Sequence, residues 1–209
     1  NSLGEKGNIR KNLNLGSKNL IIVSIGGGLD GHELLKKLVQ IKTRLDKRYP
    51  CFLMIFTGQA FPDAQYLVLK SNLPPNCKII KFDSNLMGYV DSADLFISMG
   101  GYNSINSHLL TDTPSMVFPR LSDHEQSIRA ERYGFKCYNY QTISQNVMVR
   151  EICKKLSVTR EKKLNARMNG AEVTVRFITK SLDLQNAKIR ITTQCDLDCS
   201  MCSWKKRDN

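Results

Sequence analysis

The chain has 209 residues, 41% hydrophobic and 24% charged, enough apolar material for one full domain and part of a second, or for one large domain. Its net charge of +12 admits anionic partners, but the cations are scattered (Lys36 with Lys37, Lys154 with Lys155, Lys162 with Lys163). No basic run is interleaved with aromatics, which speaks against nucleic acid as a partner, while contact with an anionic membrane surface stays compatible with the charge. No stretch reaches the ~20 apolar residues of a transmembrane helix, and NSLGEKGNIRKNLNLGSKN at the start lacks the apolar centre of a signal peptide.

Residues 1–17 read as a linker, and the start at Asn1 rather than methionine suggests a piece of a longer polypeptide. From residue 19 strand and helix signals alternate. NLIIVSI (19–25) is the continuous β-branched run of a buried parallel strand, and GGGLDG leads from it into a helix with Leu34, Leu35, Leu38, Ile41 and Leu45 on one face. CFLMIFTG (51–58) and CKIIKF (77–82) predict the second and third strands, with a helix near 63–71 between them. SNLMGYVDSA predicts a short helix, DLFISM (94–99) a fourth strand, and GGYNSINSHLL a turn entering a helix. PSMVFP (114–119) predicts a fifth strand, DHEQSIRAERYG a helix with Asp123 as N-cap and Gln126 completing a capping box, and KCYNY a short sixth strand. Helices are expected around 143–156 and 170–184. Repeated β-α units with fully apolar strands imply an α/β fold built on a doubly wound parallel sheet.

Ligands of such a sheet sit beyond the carboxyl ends of its strands, near helix N-termini. Two turns there are rich in glycine: Gly26, Gly27 and Gly28 after the first strand, Gly100 and Gly101 after the fourth. Together they suit a diphosphate, although glycine in a tight strand-to-helix turn also has a purely structural use. Neither turn has the spacing of a dinucleotide fingerprint or a Walker lysine. Glu125 and Gln126 open the helix after the fifth strand, where they either meet sugar hydroxyls or merely cap and solvate it. His32, His108 and His124 are candidates for polar contacts in the cleft, but each is read rather as a surface histidine.

GGGLDG, ADLFISMGGYNS, TPSMVFPR and HEQSIRAERYG, in this order over residues 18–185, resemble the C-terminal, nucleotide-sugar-binding half of a GT-B glycosyltransferase of family 28. The resemblance implies hexosyl transfer from a nucleotide-diphospho-sugar, with a UDP-sugar as donor and no metal. Gly26, Gly27, Gly28, Gly100, Gly101, Asn103 and Ser104 would hold the diphosphate, Phe82 and Met87 would flank the base, and Glu125 and Gln126 would meet the sugar. Ser107 stands where the family usually has a ribose-binding glutamate, with His108 next. The resemblance implies a separate, acceptor-binding N-terminal half that supplies the catalytic base, and this half is expected to be missing from the chain, which leaves the catalytic residues unassigned.

At 186–193, NAKIRITT starts a fresh strand that runs into Cys195, Cys199 and Cys202. Three thiolates can hold three irons of a [4Fe–4S] cluster and leave the fourth open. With Met201 before the last cysteine, this C-x3-C-x2-C loop resembles the radical S-adenosylmethionine motif, which implies the cluster and S-adenosylmethionine as cofactors and makes residues 186–209 the truncated start of a second domain. Structural zinc and chance spacing are the competing readings, though zinc wants a fourth ligand. The chain is thus expected to be part of a bifunctional protein; the alternative makes the radical domain the activity and the sheet a binding module. Cys51, Cys77, Cys137 and Cys153 are isolated in apolar contexts, as expected of free thiols in the cytoplasm.

Overall fold

A computed structural model describes residues 8–122, 124–158, 174–176, 178 and 179. The chain divides into two compact units, Asn1–Lys163 and Leu164–Asn209. In the second, the described residues lie within the helix expected at 170–184 and are helical. The strand expected at 186–193 and the three terminal cysteines lie outside the described residues.

In the first unit a helix α1, of which residues 8–12 are described, precedes β1 (Asn19–Ser24), α2 (His32–Asp46), β2 (Cys51–Phe56), α3 (Asp63–Ser71) and β3 (Cys77–Ile80). Then come α4 (Leu86–Ser92), β4 (Leu95–Ser98), α5 (Tyr102–Leu110), β5 (Ser115–Val117), α6 (His124–Arg132) and α7 (Gln145–Leu156). The five strands form one parallel sheet in the order β3-β2-β1-β4-β5. This is the doubly wound α/β fold expected from the alternation of elements. The order reverses between β1 and β4, so their carboxyl ends border the crevice where such sheets take ligands.

Strand alternation assigns each side chain to a layer. Ile21, Val23, Ile25, Leu53, Ile55, Leu95 and Ile97 enter one core with Leu34, Leu35, Leu38, Ile41 and Leu45 of α2 and Met148, Val149 and Ile152 of α7. Leu20, Ile22, Met54, Phe56 and Phe96 face the other way, against Val90 of α4 and against Ile9 and Leu15. The leading segment therefore does more than link. Ile9 and Leu15 are buried, and the Arg10 guanidinium donates to the carbonyl of Lys18 at 2.8 Å and to Asp94 Oδ2 at 3.0 Å. Asp94 Oδ2 also accepts from the Leu20 amide at 2.7 Å, which ties α1 to the amino ends of β1 and β4.

The expected sixth strand reduces to a single parallel bridge between Val117 and Cys137. After the Tyr138 amide bonds to the Val117 carbonyl, Asn139 Oδ1 accepts from the amides of Gln141 and Thr142, and this side-chain turn takes the backbone away from the sheet. The next helix begins cleanly because the Ser144 hydroxyl caps the Val147 amide.

Lys42 of α2 is fully buried, and its ammonium reaches Asp46 Oδ2 at 2.5 Å. Asp46 Oδ1 accepts from the Cys51 amide at 3.1 Å, so one carboxylate serves both the buried charge and the first residue of β2. Removing one partner of such a pair strands the other charge in the interior, which is costly. Asp46→Ala is expected to lower the unfolding free energy by about 3 kcal/mol and Lys42→Met by clearly less; denaturant titration of both variants checks the order, and equal losses would contradict it.

Candidate functional site

The parallel register pairs Ser24 with Ser98 as the last partners of β1 and β4, so both glycine turns leave the sheet at one level on neighbouring strands. They are built alike. The Ser24 hydroxyl accepts from the Gly26 amide at 3.5 Å and the Ser98 hydroxyl from the Gly100 amide at 3.3 Å. Gly26 has φ 75° and Gly100 has φ 72°, left-handed values that glycine adopts without strain. Ser98 is itself held by His108, whose Nε2 lies 2.8 Å from the hydroxyl oxygen. His108 is fully buried, with its ring against Phe96 and Phe135, and so is not the surface histidine expected: on α5 it lies on the sheet-facing side with Ile105. His32 is half-buried, with its ring edge on Phe61, and burial foremost lowers its pKa, whereas His124 is exposed.

The glycines divide by what surrounds them. A Cβ on Gly28 would stand 2.6 Å from both the Phe61 nitrogen and the Thr57 carbonyl oxygen, and one on Gly58 would stand 2.2 Å from the Gly26 carbonyl oxygen. The first turn and the loop after β2 are therefore in backbone-to-backbone contact, sealed by the Ala60 amide donating to Gly27 O at 2.9 Å. A Cβ on Gly100 would press to 2.8 Å on Val117. Gly28 and Gly100 are buried footings. Gly26 and Gly101 are different, because a Cβ on either meets nothing within 4 Å. Gly101 has φ −60° and ψ 161°, ordinary extended backbone, so neither strain nor crowding in the fold requires a glycine there.

Gly31 and Gly101 are the N-caps of α2 and α5, and neither helix has a side-chain cap. The first amides of a helix lack intrahelical acceptors and carry the positive end of its dipole. Two such ends on adjacent strands give the rim an anion-attracting character. Asn103 is exposed and Ser104 half-buried on the first turn of α5. Ser107 is only 8% exposed, and its hydroxyl donates back to the Asn103 carbonyl at 3.0 Å.

Phe82 and Met87 follow β3 on the same rim and are 55% and 40% exposed, so neither is a core residue. Glu125 pairs with Arg129 one helical turn on and lines a groove of about 490 Å³ between α5 and α6 with Tyr102 and Ile128. Arg129 also stacks over the Tyr102 ring, 5.4 Å from its centroid. Gln126 turns towards the rim: its side-chain oxygen accepts from the Arg120 amide at 3.0 Å. Asp123, the other half of the expected capping box, lies outside the described residues. Sequence reading missed Asp30, Arg120 and the Ser98–His108 pair. Nothing in the spacing of an acid at 30 and a base at 120 marks them as neighbours, yet Arg120 Nε lies 2.8 Å from Asp30 Oδ2.

Among the described residues no group of His, Cys, Asp or Glu is placed to hold a metal, and no helix is long and apolar enough to cross a membrane. Cys195, Cys199 and Cys202 fall outside that set. The contrast between the glycines has a direct consequence. Gly28→Ala is expected to cost about 3 kcal/mol or more, because a strained φ meets a backbone clash, whereas Gly101→Ala should stay within about 0.5 kcal/mol of the parent. Thermal unfolding of the two variants decides; similar losses would contradict this division.

The glycosyltransferase family 28 C-terminal domain matches residues 22–184. Comparison with curated proteins finds no match. Among solved structures the chain is similar to MurG of Acinetobacter baumannii, with TM-score 0.60 and 19% identity over 81% of this chain and 52% of that one. It is also similar to ALG13, with TM-score 0.51 and 14% identity over 76% of this chain and 95% of that one. A third likeness is to the spinosyn rhamnosyltransferase SpnG, with TM-score 0.54 and 19% identity over 68% of this chain and 38% of that one. The chain thus spans about half of MurG and less of SpnG, but almost all of ALG13. At these identities the likeness concerns the fold. The match over residues 22–184 carries the assignment: the chain belongs to the glycosyltransferase family 28 C-terminal domain family.

Proposed function

We propose that the first unit is the donor-binding half of a glycosyltransferase, taking a nucleoside-diphospho-sugar, with a UDP-hexose as the expected donor. The observation that carries this reading is the pairing of Ser24 with Ser98, which sets two glycine turns and two uncapped helix starts side by side. The amides of Gly27 and Gly101 and the polar groups of Asn103 and Ser104 would hold the diphosphate, while Gly26, its amide tethered to Ser24, shapes the turn and Gly28 and Gly100 support it from beneath. Charge builds on that diphosphate as the anomeric bond breaks, and donors already oriented toward it stabilise the leaving group without reorganising. Phe82 and Met87 offer apolar surface to the base, and Gln126 lies where the sugar would be met. Ser107, with its hydroxyl committed to Asn103, supplies no carboxylate for the ribose, so weaker nucleotide affinity than a carboxylate would give is part of the proposal.

The acceptor and the base that deprotonates it would come from a separate domain or partner. Family membership and the 95% coverage of ALG13 support a donor domain as a self-contained structural unit. The cysteines described, Cys51, Cys77, Cys137 and Cys153, are all free thiols, and burial foremost pushes Cys51 to about 12 and Cys77 to about 11. Free thiols, with Cys51 and Cys77 held protonated by burial, support a reducing compartment such as the cytoplasm. Isothermal titration with UDP and with UDP-hexoses tests the reading. Binding in the micromolar to millimolar range is expected, weakened about tenfold in Gly101→Ala, because a new methyl would stand between amide and phosphate. No heat at millimolar ligand would refute the assignment.

The C-x3-C-x2-C spacing of Cys195, Cys199 and Cys202 supports a second proposal, a [4Fe–4S] cluster that binds S-adenosylmethionine. Anaerobic reconstitution of the longest natural polypeptide with iron and sulfide should yield an EPR-active cluster on reduction, and its loss in Cys199→Ala is expected. Tight, stoichiometric zinc with no iron uptake would favour the competing structural site.

A further inference from the structure

Asp30 lies in the loop after β1 and Arg120 in the loop after β5, and β4 stands between those two strands. Their 2.8 Å ion pair therefore joins the flanking loops across the carboxyl end of β4, where Gly100 and Gly101 lie. Both sides are anchored independently. Gly31, next to Asp30, rests on Met99, since a Cβ there would stand 2.6 Å from its sulfur. The Arg120 amide is held by Gln126, whose own backbone borders Gly100. Behind the pair, the Lys37 ammonium donates to the carbonyls of Tyr140 at 2.7 Å, Gln141 at 2.9 Å and Ile143 at 3.2 Å. That clamp fixes the segment carrying Tyr140, whose hydroxyl pKa is raised by burial first and by the Asp30 carboxylate second.

A pair this exposed, with side-chain exposures of 28% and 45%, contributes little to global stability. Its effect is geometric. It sets the distance between the first glycine turn and the Gln126 end of α6. We propose that Asp30 and Arg120 form a positioning clasp that holds these loops at the separation one nucleoside-diphospho-sugar needs to touch both. The clasp rests on the donor-binding reading above. Asp30 and Arg120 are positioning residues, acting on the ligand through the loops they join.

The test is a double-mutant cycle of Asp30→Asn, Arg120→Gln and both together, with UDP and UDP-N-acetylglucosamine as titrants. Each single variant should bind UDP-N-acetylglucosamine about three- to fivefold more weakly, with a smaller loss for UDP, and the double variant should be no worse than either single one. Thermal midpoints should move little. Additive losses, or a loss confined to Arg120→Gln, would overturn the clasp and make Arg120 a direct ligand contact. Hydrogen exchange of the unliganded protein is the second readout. Asp30→Asn should speed exchange at residues 120–122 as well as 26–31, and an unchanged far loop would also overturn the proposal. Failure of the parent protein to bind either nucleotide would instead sink the donor reading, so the two failures are distinct.

Discussion

Parallel pairing of β1 with β4, ending at Ser24 and Ser98, is the constraint on which every feature of the rim depends. The two strands are remote in sequence, yet the sheet lets both end at one height, each followed by a serine-tethered glycine. A shift of one residue would move one turn along the strand axis by about 3.3 Å and reverse the faces of its side chains. The register is protected from both sides. Ile21, Val23, Leu95 and Ile97 lock into one core, and Leu20, Ile22 and Phe96 into the other. A one-residue slip would send each of them into the opposite core, where the space is shaped for other side chains, so packing in the two cores specifies the level of the site.

On that footing, glycine has two separate uses. Gly28 and Gly58 let segments of backbone pack closer than any side chain allows, and Gly100 leaves room for the Val117 side chain, which together make the rim rigid. Gly101 has neither a strained backbone nor a crowded neighbour, and a methyl there would meet nothing within 4 Å. Rigid footings with open amides above them are what electrostatic preorganisation requires, because donors that are already oriented lose nothing when the anion arrives. The buried chain from His108 through Ser98 to the Gly100 amide extends that rigidity inward.

Much of this was legible in the sequence, and the reasons are local. Continuous apolar runs bounded by glycine or proline mark parallel strands, and the repeat of Leu34, Leu35, Leu38, Ile41 and Leu45 marks the inner face of α2. What stayed hidden depends on partners distant in the chain. KCYNY has strand-like residues, but β5 is only three residues long and Asn139 offers the backbone an alternative turn. Ile9 and Leu15 are sparse apolar residues in a polar stretch, with no periodicity to show that they complete a core. His108 looks like any polar residue on a short helix until Ser98 and two aromatic rings are placed around it. The Asp30–Arg120 pair and the Lys37 clamp join segments about a hundred residues apart, beyond any local signal.

The central claim is that amides of both turns converge on one diphosphate, and backbone NMR addresses it most directly. Titrating the isotope-labelled protein with UDP should shift the amide resonances of Gly26 or Gly27 and of Gly101 together, along one saturation curve, with Gly134 at the far end of α6 unmoved. Shifts confined to one turn, or two turns saturating at different ligand concentrations, would contradict a single shared site.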